Sequence, residues 1–354
     1  MKKSPLRDSI GFFLELLKSK DGTMAEEFKR MVEEEQSAAL RIVVGGGTGT
    51  GKSSLTNRIT GANFPTSHTE PCTKEPQVFE HLLEIAGRVQ RLSFCDLPGF
   101  SESAKADFGY LQVYLERFLK GDAALYTVPA GTRALEYERM YLRRLMESAE
   151  SDAVRREIVQ KLILVMTKAD TIVVNGPWTL TATPDRKVVA LPDESTREVL
   201  KQQARYAWLS LFEPFADYLV TRVLQADASR SLTDGALSVR DAVVEYQGIL
   251  DTTTVRDLGL RHPSLRSSIQ KLYDRQHAVV CSSRFSYGLE DLLLRIFEHA
   301  SQSAVYRLSG LTGTGLRCME PAYADGLPNV RIADPFRKRL VELKFDWLEN
   351  NRNN

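Results

Sequence analysis

Cysteine is scarce in this sequence: there are four in 354 residues, at Cys72, Cys95, Cys281 and Cys318, and no two form a CxxC pair. That scarcity excludes a disulfide-stapled scaffold and a zinc site legible from spacing. Excess charge of either sign is also missing, since Lys plus Arg number 47 against 46 for Asp plus Glu, a formal net charge of +1. A chain so balanced gives no reason to expect generic binding to nucleic acid or to an acidic surface. The five histidines, His68, His81, His262, His277 and His299, show no metal-ligand spacing. No run approaches the ~18 consecutive apolar residues of a membrane span. Repeats and low-complexity tracts are absent.

What is present is ordinary for a globular chain, with 43% hydrophobic and 26% charged residues. The length suits roughly two domains at ~150 residues each. The chain reads as cytoplasmic. Near the N-terminus, Ile10 to Leu17 superficially resembles a signal peptide, but Glu15 interrupts the apolar run and no small-residue cleavage site follows. Ile10, Phe13, Leu14 and Leu17 fall on one helical stripe. Residues 1–38 are therefore expected to be an N-terminal helical segment packed on the body, with a membrane-surface or partner-binding helix as the alternative.

The hydrophobic period then changes. Leu40 to Val44 is a short, β-branched run ending in glycines, and similar runs recur at Val89–Cys95, Ala123–Val128, Leu162–Met166 and Ala278–Cys281. Helical stretches such as Phe108–Leu119 and Glu136–Ser148 lie between them. Strands alternating with helices predict an α/β fold with a parallel sheet covered on both faces. Right-handed crossovers put every strand's C-terminal end, and so the ligand loops, along one edge. The alternation lapses after Asp170 and resumes at Ala278. Residues 39–300 thus read as one domain interrupted by an insertion at about 171–276. That insertion is expected to hold a hairpin (Trp178–Thr183 with Lys187–Ala190), a helix near Thr196–Leu211 and further helical segments to about Arg275. Residues 301–354 read as a C-terminal tail with a helix near Phe336–Leu348.

Directly after the first strand stands GGTGTGKS, residues Gly46, Gly47, Thr48, Gly49, Thr50, Gly51, Lys52 and Ser53, followed by a helix from Ser54 to Ile59. Phosphate needs inward-pointing backbone N–H groups, which glycines permit, and the helix N-terminus adds partial positive charge. In this motif the lysine contacts the β and γ phosphates and the serine hydroxyl serves Mg2+. Asp96, Leu97, Pro98 and Gly99 follow the next strand, placing a carboxylate for the Mg2+ shell and a Gly99 amide for a γ-phosphate. Thr167, Lys168, Ala169 and Asp170 close the fourth strand. A carboxylate there accepts from guanine N1–H and the 2-amino group and repels adenine N1, while the Lys168 stem can lie over the base. Ser282 and Ser283, after the last strand, would buttress the base.

These elements, in this order, resemble the translation-factor class of P-loop GTPases, nearest the Era-like branch, over about 40–170 and 277–300. The stretch Gly121 to Leu135 is similar, more loosely, to small bacterial GTPases of the YeeP/YfjP type. The resemblance implies a six-stranded, mostly parallel sheet with helices on both faces, GTP and GDP as ligands, and Mg2+ held by Ser53, Asp96 and Thr73. Thr73, in the segment PCTKEP, would be the switch threonine that meets Mg2+ only when the γ-phosphate is present; Thr69 is the fallback. Lys52, Thr73 and Gly99 would carry the hydrolysis of GTP. The resemblance also implies a protein effector. The competing form is a self-assembling, dynamin- or septin-like GTPase activated as a homodimer, with membrane contact open but not predicted. Phe100 stands where the best-known small GTPases carry a water-orienting glutamine, so intrinsic turnover is expected to be slow. Gly49 replaces the asparagine of K+-using members, so no K+ activation is expected. Arg58 and Arg133 are conceivable completions of the site, with a solvated or structural role the plainer expectation for each.

Overall fold

The computed structural model describes residues 39–60, 75–85, 88–100, 104–182, 188–224, 231–240 and 243–299. The expected N-terminal segment, the loop holding Thr69 and Thr73, and the C-terminal tail lie outside the described residues.

In chain order the elements are β1 (Leu40–Gly46), α1 (Lys52–Thr60), β2 (Gln77–Ile85), β3 (Arg88–Asp96), α2 (Ala104–Lys120), β4 (Ala123–Pro129), α3 (Glu136–Glu147), α4 (Asp152–Lys161), β5 (Leu162–Thr167), β6 (Thr179–Ala182), β7 (Val188–Leu191), α5 (Glu194–Phe212), β8 (Val220–Leu224), β9 (Leu232–Asp234), β10 (Leu237–Arg240), β11 (Val243–Gln247), α6 (Thr252–Arg261), α7 (Arg266–Arg275), β12 (Val279–Val280) and α8 (Leu289–His299). The central sheet has six strands in the order β12-β5-β4-β1-β3-β2. All neighbours pair parallel except β2, which runs antiparallel to β3 along one edge.

Strand residues alternate between the two faces, and both faces are covered, so the strands read as continuous apolar runs. On one face Val43, Tyr126, Val128, Leu164 and Met166 pack with side chains of α2, α3, α4 and α5. On the other, Ile42, Val44, Phe94, Leu125 and Val165 pack with Leu55 and Ile59 of α1 and with Leu289, Leu292 and Ile296 of α8. Each fully buried Leu, Ile or Phe contributes roughly 1.5–3 kcal/mol of apolar transfer. Two of the helices on the first face, α4 and α5, start where short polar side chains close exposed amides. Ser151 Oγ accepts from Val154 N–H at 3.3 Å and Asp193 Oδ1 from Thr196 N–H at 2.6 Å. Such caps typically stabilise a helix by ~1 kcal/mol.

The expected hairpin is present as β6 and β7, and the expected helix as α5. Because Leu200, Ala204, Trp208 and Leu211 of α5 sit in the core beneath the main sheet, this helix is the crossover from β5 to β12. The stretch between α5 and β12 departs from the all-helical expectation. Before α6 and α7 it forms a four-stranded antiparallel sheet, β8-β11-β10-β9, whose Val223, Leu237, Val239 and Val244 share a separate core with Leu258, Ile269 and Leu272. Its strands are three to five residues long, too short for a period of two to stand out from a helical pattern.

Two side chains, the buried Gln276 and the half-buried Arg205, fasten this unit to the main body. Gln276, just before β12, donates from Nε2 to Thr221 Oγ1 at 3.0 Å and to Gly248 O at 2.8 Å, and its Oε1 accepts from Leu250 N–H at 2.7 Å. Arg205 on α5 donates to Gln276 O at 2.6 Å and to Leu250 O, and lies over the rings of Trp208 and Tyr273. A buried amide satisfied at both ends holds its neighbours in one arrangement, because separating them would strand polar groups away from water.

Candidate functional site

Five parallel strands end on the same edge, which brings four distant segments together. β1 leads into the glycine loop, and Gly46, Gly49 and Gly51 all have φ in the left-handed region, at 139°, 74° and 91°. The loop is stitched to the segment after β3: Gly47 pairs with Phe100 in a parallel bridge, and Thr48 N–H donates to Phe100 O at 2.8 Å. Gly99 can only be glycine here, since a Cβ would fall 2.7 Å from Thr48 Cα and 2.9 Å from Thr48 N. Tyr114 of α2, fully buried, ties the same two segments; its hydroxyl accepts from Gly46 N–H at 3.1 Å and donates to Pro98 O at 2.7 Å.

Within the loop Lys52 is buried, 6% exposed, and its ammonium donates to Gly47 O at 2.9 Å. Ser53 donates to Asp96 Oδ2 at 2.5 Å, and Asp96 is 0% exposed. Among the described residues no three His, Cys, Asp or Glu side chains gather as a metal cluster. The Ser53–Asp96 pair is a different kind of site: two hard oxygen groups that fit Mg2+ when phosphate and water complete the shell.

Thr50 and Thr167 lock the loop to the neighbouring strands. Thr50 Oγ1 meets Thr127 Oγ1 at 2.7 Å, and the buried Thr167 hydroxyl donates to Thr50 O. Lys168 takes the left-handed conformation (φ 56°), which turns its stem past the phosphate loop. A Cβ added to Gly51 would lie 3.9 Å from Lys168 Cε. Asp170 Oδ1 accepts from Ser282 Oγ at 2.6 Å, and Ser282 Oγ itself accepts from Phe285 N–H at 3.1 Å. Ser282 and Tyr287 exchange backbone hydrogen bonds of 3.0 and 3.1 Å, which closes the 282–287 turn; Ser283 is half-buried within it. Ser54 is exposed in the first turn of α1. Of the expected site residues, Thr73 alone lies outside the described residues.

Phe100 does not face this cleft. It is 0% exposed and stacks on Tyr141 with ring centroids 3.9 Å apart, with Tyr114, Tyr126 and Tyr137 around it. Arg58 turns away from the loop as well: its Nε donates to Ser286 Oγ at 2.7 Å, pinning α1 to the turn after β12. Arg133 is exposed, with its carbonyl accepting from Tyr206 OH at 3.2 Å. Burial raises the Cys95 thiol and raises Cys281 well above the usual range, which leaves both protonated and unreactive. Glu138 escaped the sequence reading. A Cβ added to Gly47 would lie 3.9 Å from its Oε1, and burial there raises its carboxyl. Tyr114 was missed too, since an aromatic on the apolar stripe of α2 signals only packing until its hydroxyl is placed.

The strand order and the glycine loop define an α/β fold with a phosphate-type glycine loop at one sheet edge, beside the Ser53–Asp96 contact. Residues 41–168 match the family described as 50S ribosome-binding GTPase. The chain is 27% identical over 187 residues to the uncharacterized protein YkfA of Escherichia coli K12, covering 44% of this chain and 64% of that protein. It is 31% identical over 131 residues to the uncharacterized protein YfjP of the same organism, covering 35% of this chain and 40% of that one. It thus spans less than two thirds of either relative's length. Among solved structures, Toc33 from Arabidopsis thaliana in complex with Mg2+ and GMPPNP is similar at 17% identity and a TM-score of 0.36, covering 54% of this chain and 72% of that one. Toc33 with GDP and Mg2+ is similar at 17% identity and a TM-score of 0.35, covering 55% and 70%. Among the described residues no helix is long and apolar enough to cross a membrane.

Proposed function

We propose that this chain binds GTP and GDP with Mg2+ and hydrolyses GTP to GDP and phosphate, acting as a nucleotide-dependent switch with slow intrinsic turnover. The reading rests on one juxtaposition. The Ser53–Asp96 pair and the Asp170–Ser282 pair stand at one sheet edge with the phosphate loop between them. One pair suits a phosphate-bound cation and the other a guanine edge, and an adenine base would present its N1 lone pair to Asp170.

In this account the loop amides and Lys52 hold the β and γ phosphates, and the Gly99 amide approaches the γ-phosphate. Asp170 accepts from the base, with Ser282 and Ser283 behind it. Phosphoryl transfer leaves little covalent work to the protein, so positioning and charge stabilisation carry catalysis. Ser53 and Asp96, with Thr73, would hold Mg2+, which would neutralise phosphate charge when bound. Thr73 reports the γ-phosphate by ordering its loop for an effector protein. Phe100, sealed among tyrosines, orients no water, which makes turnover slow until a partner supplies that group. We assign the chain to the Era-like branch by the order of its motifs, and to the cytoplasm. We also assign 1–38 and 301–354 as flanking segments of a 39–300 nucleotide-binding domain that carries an insertion within about 171–276, α5 of that stretch belonging to the main core.

GTP turnover per molecule, measured at saturating GTP and Mg2+ over a wide range of protein concentration with ATP as control, tests this reading. A slow, flat rate with GTP alone is expected. A specific rate that climbs with concentration would instead mean that two copies complete the site by dimerising.

A further inference from the structure

Trp178 leads into the β6–β7 hairpin, a few residues past Asp170, and nothing in the phosphate or base chemistry above uses it. Its indole nevertheless lies against the turn that carries Ser282. The ring centroid is 5.3 Å from that of Phe285 and 4.9 Å from that of Tyr287, the latter pair at 90°. Its Nε1–H donates to Ile172 O at 3.0 Å, which fixes the ring to the segment directly after Asp170. Both aromatic partners are bonded to Ser282. Phe285 N–H donates to Ser282 Oγ, and Tyr287 exchanges two backbone bonds with Ser282. Ser282 in turn donates to Asp170. The two base-facing segments, one after β5 and one after β12, are therefore closed into a ring whose far side is Trp178.

We infer that Trp178 is a positioning residue that latches the Ser282 turn against Asp170 and so sets how fast a guanine nucleotide leaves. The inference rests on the guanine reading of the Asp170–Ser282 pair and adds a residue to it. The physical reason is that base release requires the two segments to part. The two segments are also joined by Ala169 N–H on Cys281 O at 3.1 Å, and the turn is tied to α1 by the Arg58–Ser286 bond; Trp178 adds the ring contacts that hold Phe285 and Tyr287 to the segment after Asp170. Edge-to-face and tilted ring pairs each add a modest specific attraction, so loss of two such contacts corresponds to release about tenfold faster. Phenylalanine at 178 keeps a ring against Phe285 and Tyr287 while losing the bond to Ile172, and should restore most of the rate.

The test is stopped-flow release of N-methylanthraniloyl-GDP from the full chain and from W178A, W178F, F285L, S282A and the W178A/S282A double variant. The expected result is about tenfold faster release for W178A, a smaller gain of about threefold for F285L, which removes one of the two ring contacts, near-native release for W178F, and a double variant no faster than the quicker single one. That non-additivity is what separates a residue acting through Ser282 from one that merely supports the fold. F285L loosens the latch from the opposite side should W178A fold poorly. A guanine-selective wild type whose W178A and F285L variants release at the native rate, or whose double variant is simply additive, overturns the latch alone. A wild type that holds the adenine analogue as long as the guanine one overturns the base reading and the latch with it.

Discussion

Ser282 Oγ donates a 2.6 Å hydrogen bond to Asp170 Oδ1 across 112 positions of sequence. The bond exists because β12 lies parallel beside β5, which sets the turn after one strand against the turn after the other. It orients a half-buried carboxylate at the sheet edge that carries the phosphate loop, where the proposed reading docks a base edge.

Asp170→Asn replaces an acceptor-only oxygen with an amide donor. Guanine's N1–H keeps the amide oxygen but its 2-amino group then loses its acceptor and meets a donor, while xanthine, with a carbonyl at position 2, gains a donor to meet it. Hydrogen bonds to charged groups count for about 1.5–3 kcal/mol each, so GTP affinity should fall by about two orders of magnitude and preference should pass to XTP. Competition between GTP and XTP for the variant measures this. Undiminished GTP preference would remove Asp170 from base recognition.

Phe100 is stacked among Tyr114, Tyr126, Tyr137 and Tyr141 and is wholly buried. Truncating a buried Phe to Ala typically costs about 3–5 kcal/mol. Phe100→Ala should therefore lower Tm sharply. Phe100→Gln should also lower Tm, because it places an amide in an aromatic cluster, and it should not raise GTP turnover. A faster, equally stable Phe100→Gln enzyme would show that the position faces the nucleotide after all.

Glu138 titrates in the opposite sense to most carboxylates. Burial raises its pKa in the fold, so the fold favours the protonated form. Its contribution to stability is present below the ordinary glutamate range and is lost as pH rises through the raised folded value. Glu138→Gln should then raise Tm at neutral pH, and the gain should vanish in acid where wild-type Glu138 is already neutral. Thermal melts of both proteins from pH 4 to 8 check this. A gain that is the same at every pH would mean that charge is not the cause.

Lys52 places a buried ammonium on Gly47 O. Removing that bond costs the folded protein about 1.5–3 kcal/mol, whereas a bound triphosphate would lose its main counter-charge. Lys52→Ala should keep its circular dichroism spectrum and lose at least about a hundredfold in nucleotide affinity by calorimetric titration. Native affinity would remove the loop from phosphate binding.

The site was more legible in the sequence than the fold around it. GGTGTGKS, DLPG and TKAD are local patterns, and each follows a strand that announces itself by β-branched residues, so position along the chain sufficed. β2 was not picked out: Leu82 and Leu83 are adjacent and break the alternation of an edge strand. The sheet of β8 to β11 was missed because its strands become strands only by pairing with each other over the helices α6 and α7. Phe100 stands out in the sequence as a side chain that cannot orient water, but its burial depends on tyrosines from α2, β4 and α3, which no local pattern collects. From the sequence Trp178 reads as the start of the hairpin. What it packs against, the turn bearing Ser282, follows only from the hairpin's place beside β12.

The claim that this is a guanine-nucleotide site is tested most directly by displacement of N-methylanthraniloyl-GDP from the full chain by GTP, GDP and ATP in the presence of Mg2+. GTP and GDP should displace the probe at concentrations at least about a hundredfold below ATP, the scale set by two hydrogen bonds to a carboxylate. Displacement by ATP at the same concentrations would contradict the account.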